Sequence, residues 1–203
     1  MPNSDLIYRP ANATFADGQH FANYLDQAAE GFFGFMLGKR SVDILASAFI
    51  QTGHDISHQH VTFAEQNQRL VGMVSGYTAR QHHKASDQVL KQAAGRYNLR
   101  FLTVSLLFAP LMRILDTIAD DDFYLQAIAL NQELRGQGLG SVLMDFAEDQ
   151  AQNSGCKRLS LDVSADNVNA RKLYERRGMF VESQWPKRLA IPKLRFYRMI
   201  KLF

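Results

Sequence analysis

Three glycines within five positions follow an arginine in the stretch Leu134-Arg135-Gly136-Gln137-Gly138-Leu139-Gly140-Ser141. A strand-like segment, Phe123 to Leu130, precedes them, and a helix-like segment, Ser141 to Asn153, follows. The N-terminus of a helix presents unpaired N–H groups and the positive end of its dipole, so a strand, a glycine turn and a helix in that order make a site for an anion. Gly136, Gly138 and Gly140 have no Cβ to hold phosphate oxygens away from the backbone, and they permit positive φ. Arg135 can add a charge-assisted contact. The competing reading is a connection that only turns the chain. Two familiar phosphate loops fail on spacing. No lysine follows the glycines, as a Walker loop requires, and G-x-G-x-G is not the G-x-G-x-x-G of a dinucleotide fold with its acidic residue about 20 positions on.

Other chemistry-bearing residues carry less. His54-Asp55-Ile56-Ser57-His58 mimics the H-E-x-x-H zinc pattern, but an i, i+4 pair needs a helix. Gly53 sits just before it, strand signals begin at His60, and no third ligand is evident, so no metal is expected. His82-His83 reads as an exposed pair in a loop. Cys156, the single cysteine of the 203 residues, forbids an internal disulfide and reads as a small buried hydrophobe. The net charge of +3 is uneven: residues 157–203 hold 12 Lys/Arg against 4 Asp/Glu. Such an end can be a solvated face or can serve a phosphorylated small ligand. No helix-turn-helix, zinc knuckle or aromatic RNA-binding motif accompanies it, so nucleic acid is not an expected partner. The longest apolar run, Phe101 to Met112, is too short and interrupted to span a bilayer, and the opening MPNSDLIYRP lacks a secretory pattern. A cytoplasmic protein without a membrane partner is the expectation.

Periodicity gives the frame that must position the glycine turn. A short strand at Leu6–Arg9 leads into helices at about 15–29 and 42–51. Two strands, 60–66 and 70–78, meet in a hairpin at Asn67-Gln68. Residues 79–119 read as two helices. The first carries Val89, Leu90, Ala93, Ala94 and Tyr97 on one face. The second, about 99 to 118, has Leu102, Val104, Leu106, Leu107, Phe108, Leu111, Met112, Ile114, Leu115 and Ile118 and almost no polar face. Such a helix is deeply buried or covers something. After the strand 123–130 comes the helix 141–153, with core face Val142, Leu143, Phe146, Ala147 and Ala151 and a stop at Gly155. A strand at 159–163, a helix at 167–177 and a last strand at 195–203 complete one mixed α/β domain.

Within that frame the residues carry a resemblance. Arg135-Gly136-Gln137-Gly138-Leu139-Gly140 matches the R/Q-x-x-G-x-G/A turn of the GNAT superfamily of N-acetyltransferases. Asn167, Ala170, Tyr174 and Gly178 occupy the places of its second signature, N-x-x-A-x-x-x-Y-x-x-x-G-F, with Met179-Phe180 where Gly-Phe is usual. "IYRPANATFAD" is similar to the family's common start. The resemblance covers most of the chain, as a single domain over 1–203 in which 79–119 is a helical insertion before the cofactor-binding strand. It implies a mixed, mostly antiparallel central sheet flanked by helices.

Acetyl-coenzyme A is the cosubstrate the resemblance implies. Its pyrophosphate would rest on the backbone from Arg135 through Gly136, Gln137, Gly138, Leu139, Gly140 and Ser141. The pantetheine arm would pair with Ala129 and Leu130 where two strands splay apart, and Asn167 and Ala170 would lie beside it. Tyr174 matches the proton donor to the departing sulfur, although it can also be read as a core aromatic. The reaction implied is direct attack by a primary amine, from a small molecule or a peptide, in a ternary complex. A backbone N–H near Leu130 is the expected oxyanion donor. Freeing a lysine-like amine of pKa about 10.4 at pH 7 costs roughly 4.6 kcal/mol, so a base or a water chain is needed. Some members carry a glutamate six residues before the position that Leu130 matches. Tyr124 stands there instead, which leaves Asp122, Gln126 and Glu30 as neighbouring candidates. The rival reading is a degenerate member, a sensor or scaffold that binds acyl-CoA without turnover. The apolar second helix of 79–119 is expected to shape the acceptor pocket or a homodimer interface.

Overall fold

The computed structural model describes residues 6–86, 88–95, 98–186 and 195–203, without the side chains of 110–112. Tyr97 and the side chains of Leu111 and Met112, placed on apolar faces above, lie outside that set. Seven strands form one open sheet in the order β1-β2-β3-β4-β5-β7-β6. They are β1 (Ile7–Pro10), β2 (Val61–Gln66), β3 (Arg69–Thr78), β4 (Asp122–Leu130), β5 (Arg158–Ser164), β6 (Phe180–Trp185) and β7 (Phe196–Leu202). Neighbours are antiparallel except β4 and β5, which are parallel. The β2–β3 hairpin turns at Asn67 and Gln68, whose φ values of 50° and 62° are those of a two-residue turn that matches strand twist.

Helices cover both faces. On one lie α1 (Phe15–Ala28), α2 (Phe32–Leu37), α3 (Ser41–Phe49), α5 (Gln88–Ala94) and α6 (Leu99–Met112), whose apolar sides meet Phe63, Met73, Ala127 and Ala129 of the sheet. The short α4 (Ala79–His82) continues directly from β3 behind a Thr78 cap. On the other face α7 (Leu139–Asn153) and α8 (Val168–Arg176) bury Leu139, Leu143, Met144, Ala147, Ala151 and Tyr174 against Phe123, Leu125, Leu161, Val163 and Met199.

Several expectations need correction. Helix α7 starts two residues earlier than its periodicity placed it, and Val142 is exposed while Leu139 and Met144 take core positions. Among the described residues, the segment 79–119 holds three helices and a 3-10 turn at Leu115–Thr117 rather than two helices. Helix α2 and strand β6 were not foreseen. His54 is buried and His58 half-buried in the turn region that leads into the β2–β3 hairpin. His82 ends α4 and its Nδ1 lies 2.7 Å from Asp55 Oδ2, which rules out a free loop pair. Cys156 is half-buried.

Candidate functional site

The site is built by a fork. β4 and β5 pair only from Asp122 to Tyr124 against Arg158 to Ser160. Beyond that, β4 continues along β3 to Leu130 and β5 along β7 to Ser164. Their inner edges therefore open into a V, and an extended ligand can satisfy backbone groups there as an added strand would. A bulge sharpens the geometry. Ser75 pairs with Ala127 and Gly76 with Leu125, which leaves Gln126 as the extra residue. Phe123 and Leu125 before it and Ile128 and Leu130 after it all pack toward α7 and α8, whereas Ala127 and Ala129 face α1.

The glycine turn stands at the open end of the V. Gly138 is the N-cap of α7 at φ 87°, and no side chain caps that helix. Gly136 has φ 76°, and a Cβ built at either glycine would meet nothing within 4 Å. Gly140 differs from expectation. Its φ is not positive, and a Cβ there would touch Leu173 Cδ2 at 3.4 Å, so its bareness serves the approach of α7 to α8. The Leu139 side chain is in the core and the Gln137 amide donates to Glu133 O at 3.0 Å, so these residues offer backbone rather than side chain. Arg135 is exposed and Ser141 half-buried beside them.

On the other arm of the V, Asn167 caps α8: its Oδ1 accepts from the Ala170 amide at 3.1 Å. Its Nδ2 donates to Glu30 Oε1 at 3.0 Å. Tyr174, one helical turn beyond half-buried Ala170, is 8 % exposed, and burial pushes its hydroxyl up to about 12. It is a neutral donor across the physiological range.

At the base of the V lies a group that the sequence did not reveal. Tyr124 donates to Asp162 Oδ2 at 3.0 Å. Arg198 grips the same carboxylate with Nε at 2.6 Å and Nη2 at 2.8 Å, and it is 1 % exposed. Arg198 also donates to Ile114 O at 2.9 Å and Thr117 O at 3.4 Å. The end of the segment 79–119 is thereby tied to the sheet next to position 124. Burial raises the Asp162 carboxyl above its ordinary range, with Arg198 opposing. Among the base candidates, Asp122 is wholly buried at the closed end of the fork, 2.7 Å from Arg158. Gln126 accepts from Ser75 Oγ at 2.9 Å. Removing one member of a buried pair strands the other. Arg198→Met is therefore expected to lower unfolding free energy by about 3–5 kcal/mol, and exchanging Asp162 as well for an apolar residue should restore much of it. Urea unfolding checks this, and a loss below about 1 kcal/mol for the single variant would mean that solvent already reaches Asp162.

A family model described as the acetyltransferase (GNAT) family matches residues 37–179. The chain belongs to the GNAT acetyltransferase family. Solved structures agree in fold: a crystal structure of an acetyltransferase superposes with TM-score 0.66 at 24 % identity, covering 97 % of this chain and 98 % of that one. An N-acetyltransferase from Staphylococcus aureus Mu50 gives 0.65 at 16 % identity over 96 % and 100 %. Among curated proteins, GCN5-related N-acetyltransferase 4, chloroplastic, of Arabidopsis thaliana is 31 % identical over 84 residues, 39 % of this chain and 29 % of that protein. The chain spans less than half the length of the curated relatives it matches. Among the described residues no cluster of three or more His, Cys, Asp or Glu could hold a metal ion, and no helix is long and apolar enough to cross a membrane.

Proposed function

We propose that this GNAT chain is an N-acetyltransferase that moves the acetyl group of acetyl-CoA to a primary amine by direct attack in a ternary complex. The observation that carries the reading is the splayed β4–β5 fork opening onto an uncapped α7 N-terminus with two positive-φ glycines. A pyrophosphate fits there: the amides of the turn supply donors, the dipole favours negative charge, and Arg135 adds a cation. Ala129 and Leu130 on one arm and Asn167 and Ala170 on the other would hold the amide-rich arm. The segment 79–119 is then an insertion in a domain spanning 1–203.

The thioester supplies an activated acyl carbon, and this chain's residues supply the rest. A backbone N–H near Leu130 receives the oxyanion. Tyr174 faces an unequal exchange. Full proton transfer from a phenol near 12 to a thiolate near 8.5 is uphill by about 5 kcal/mol. Tyr174 therefore stabilises the departing sulfur by hydrogen-bond donation before any transfer is complete. Tyr124 and Asp162, at the base of the fork, are the pair best placed to receive the ammonium proton. Calorimetry with acetyl-CoA, followed by mass spectrometry of an amine pool, tests the reading. Binding without amine-dependent product would favour the sensor or scaffold.

The insertion bears on assembly. Helix α6 buries Phe101 and Val104 toward α2, yet Leu99, Leu102, Leu106 and Leu107 point outward, with Leu106 79 % and Leu107 71 % exposed. Monomers rarely expose a contiguous apolar patch of that kind. We expect a homodimer through this stripe. Leu106→Asp with Leu107→Asp should halve the sedimenting mass, and a wild-type monomer would return the stripe to the acceptor side.

A further inference from the structure

The last turns of α1 reach across the fork. Tyr24, Gln27 and Glu30 follow at three-residue spacing, which places them along one side of the helix and its exit. Tyr24 donates to Asn131 Oδ1 at 2.7 Å and Gln27 Nε2 donates to Leu130 O at 2.9 Å, so both fasten α1 to the end of the β4 arm. Glu30 does something different. Its carboxylate accepts from Asn167 Nδ2, 137 positions along the chain, and so joins the β4 arm to the cap of α8 beyond the β5 arm. Glu30 holds φ 54°, a left-handed backbone that a non-glycine residue adopts only against steric strain. The contact is repaid in part because a carboxylate near the start of α8 is favoured by the helix dipole.

We propose that the Glu30–Asn167 contact is a latch across the cofactor cleft, closed in the free protein and opened by the entering acyl-CoA arm. The inference rests on the cofactor placement proposed above. The arm must lie between the β4 and β5 inner edges, and the latch is a tie between those two arms on the α1 side. The Asn167 Oδ1 is committed to the Ala170 amide, so Nδ2 is the group that the latch and an amide carbonyl of the arm would share. Glu30 then acts as a positioning residue that sets how readily the cleft admits its ligand, without touching the reacting atoms.

Calorimetry of acetyl-CoA binding to the wild type, Glu30→Ala and Glu30→Gln is the test, with thermal unfolding to show that each variant is folded. Losing an exposed charge-assisted hydrogen bond corresponds to a modest free energy, so Glu30→Ala should tighten acetyl-CoA about three- to tenfold. Glu30→Gln keeps an oxygen for Asn167 Nδ2 and should fall between the two. Unchanged affinity in Glu30→Ala would mean that the arm uses the second Nδ2 proton beside an intact contact, which overturns the latch. Weaker binding would overturn it too, since Glu30 would then be a direct ligand of the arm. A wild type that binds no acetyl-CoA would instead sink the cofactor reading itself.

Discussion

Gly138→Glu is expected to abolish measurable acetyl-CoA binding, a loss of more than about a hundredfold, in a protein that still unfolds cooperatively. The carboxylate would enter the open space above the turn, where a Cβ meets nothing within 4 Å, and would bring negative charge to the place assigned to the pyrophosphate. Two unit charges near 4 Å repel by about 4 kcal/mol at a protein surface, which exceeds the 2.7 kcal/mol of a hundredfold loss. The backbone cost at φ 87° is on the order of 1–2 kcal/mol, a fraction of the 5–15 kcal/mol that ordinary domains hold in reserve. Calorimetry and a thermal melt separate the two effects. Unchanged affinity in the folded variant would show that the turn binds no phosphate.

Tyr174→Phe carries the second large expectation: a drop in kcat of about 10²-fold with the KM for acetyl-CoA little changed. The phenyl ring keeps the packing against α7 and the sheet, so the fold should persist, and only the donor to the sulfur is lost. The pH dependence follows from burial. With the phenol held near 12, the donor remains protonated well past the ordinary value of 10.0, and the loss of its proton should not produce an alkaline limb below about pH 11. Stopped assays of CoA thiol release across pH check both statements. Full activity in the phenylalanine variant would make Tyr174 a packing residue.

How much of this was legible depended on whether a feature is local. The glycine turn could be read because it is a short pattern whose meaning is set by its own backbone. Asn167 and Tyr174 were singled out only by the resemblance, and that Asn167 caps α8 is a finding of the structure. The fork was implied by the resemblance, and it is confirmed where pairing stops at Tyr124 and Ser160. The Asp162–Arg198 pair was missed for a different reason. Asp162 sits between Leu161 and Val163 on β5 and Arg198 between Tyr197 and Met199 on β7, and a buried charge calls for a partner. Which partner depends on β5 lying beside β7 in register, a long-range fact that no local pattern states. Strand β6 escaped because its edge position leaves Phe180 and Val181 exposed and blurs any alternation. Helix α2 escaped because "FFGFML" is six residues with a glycine inside. Helix α6 was read too long because its apolar residues run on without a period. The helix ends at Met112, and Ile114 and Ile118 are buried by the following turn instead.

The most direct test of the central claim is the release of free CoA thiol from acetyl-CoA by the purified protein, with and without a pool of primary amines. Release that depends on the amines, with an acetylated amine identified by mass spectrometry and none formed by Gly138→Glu, is the predicted result. Acetyl-CoA that binds but yields no thiol with any amine would contradict it.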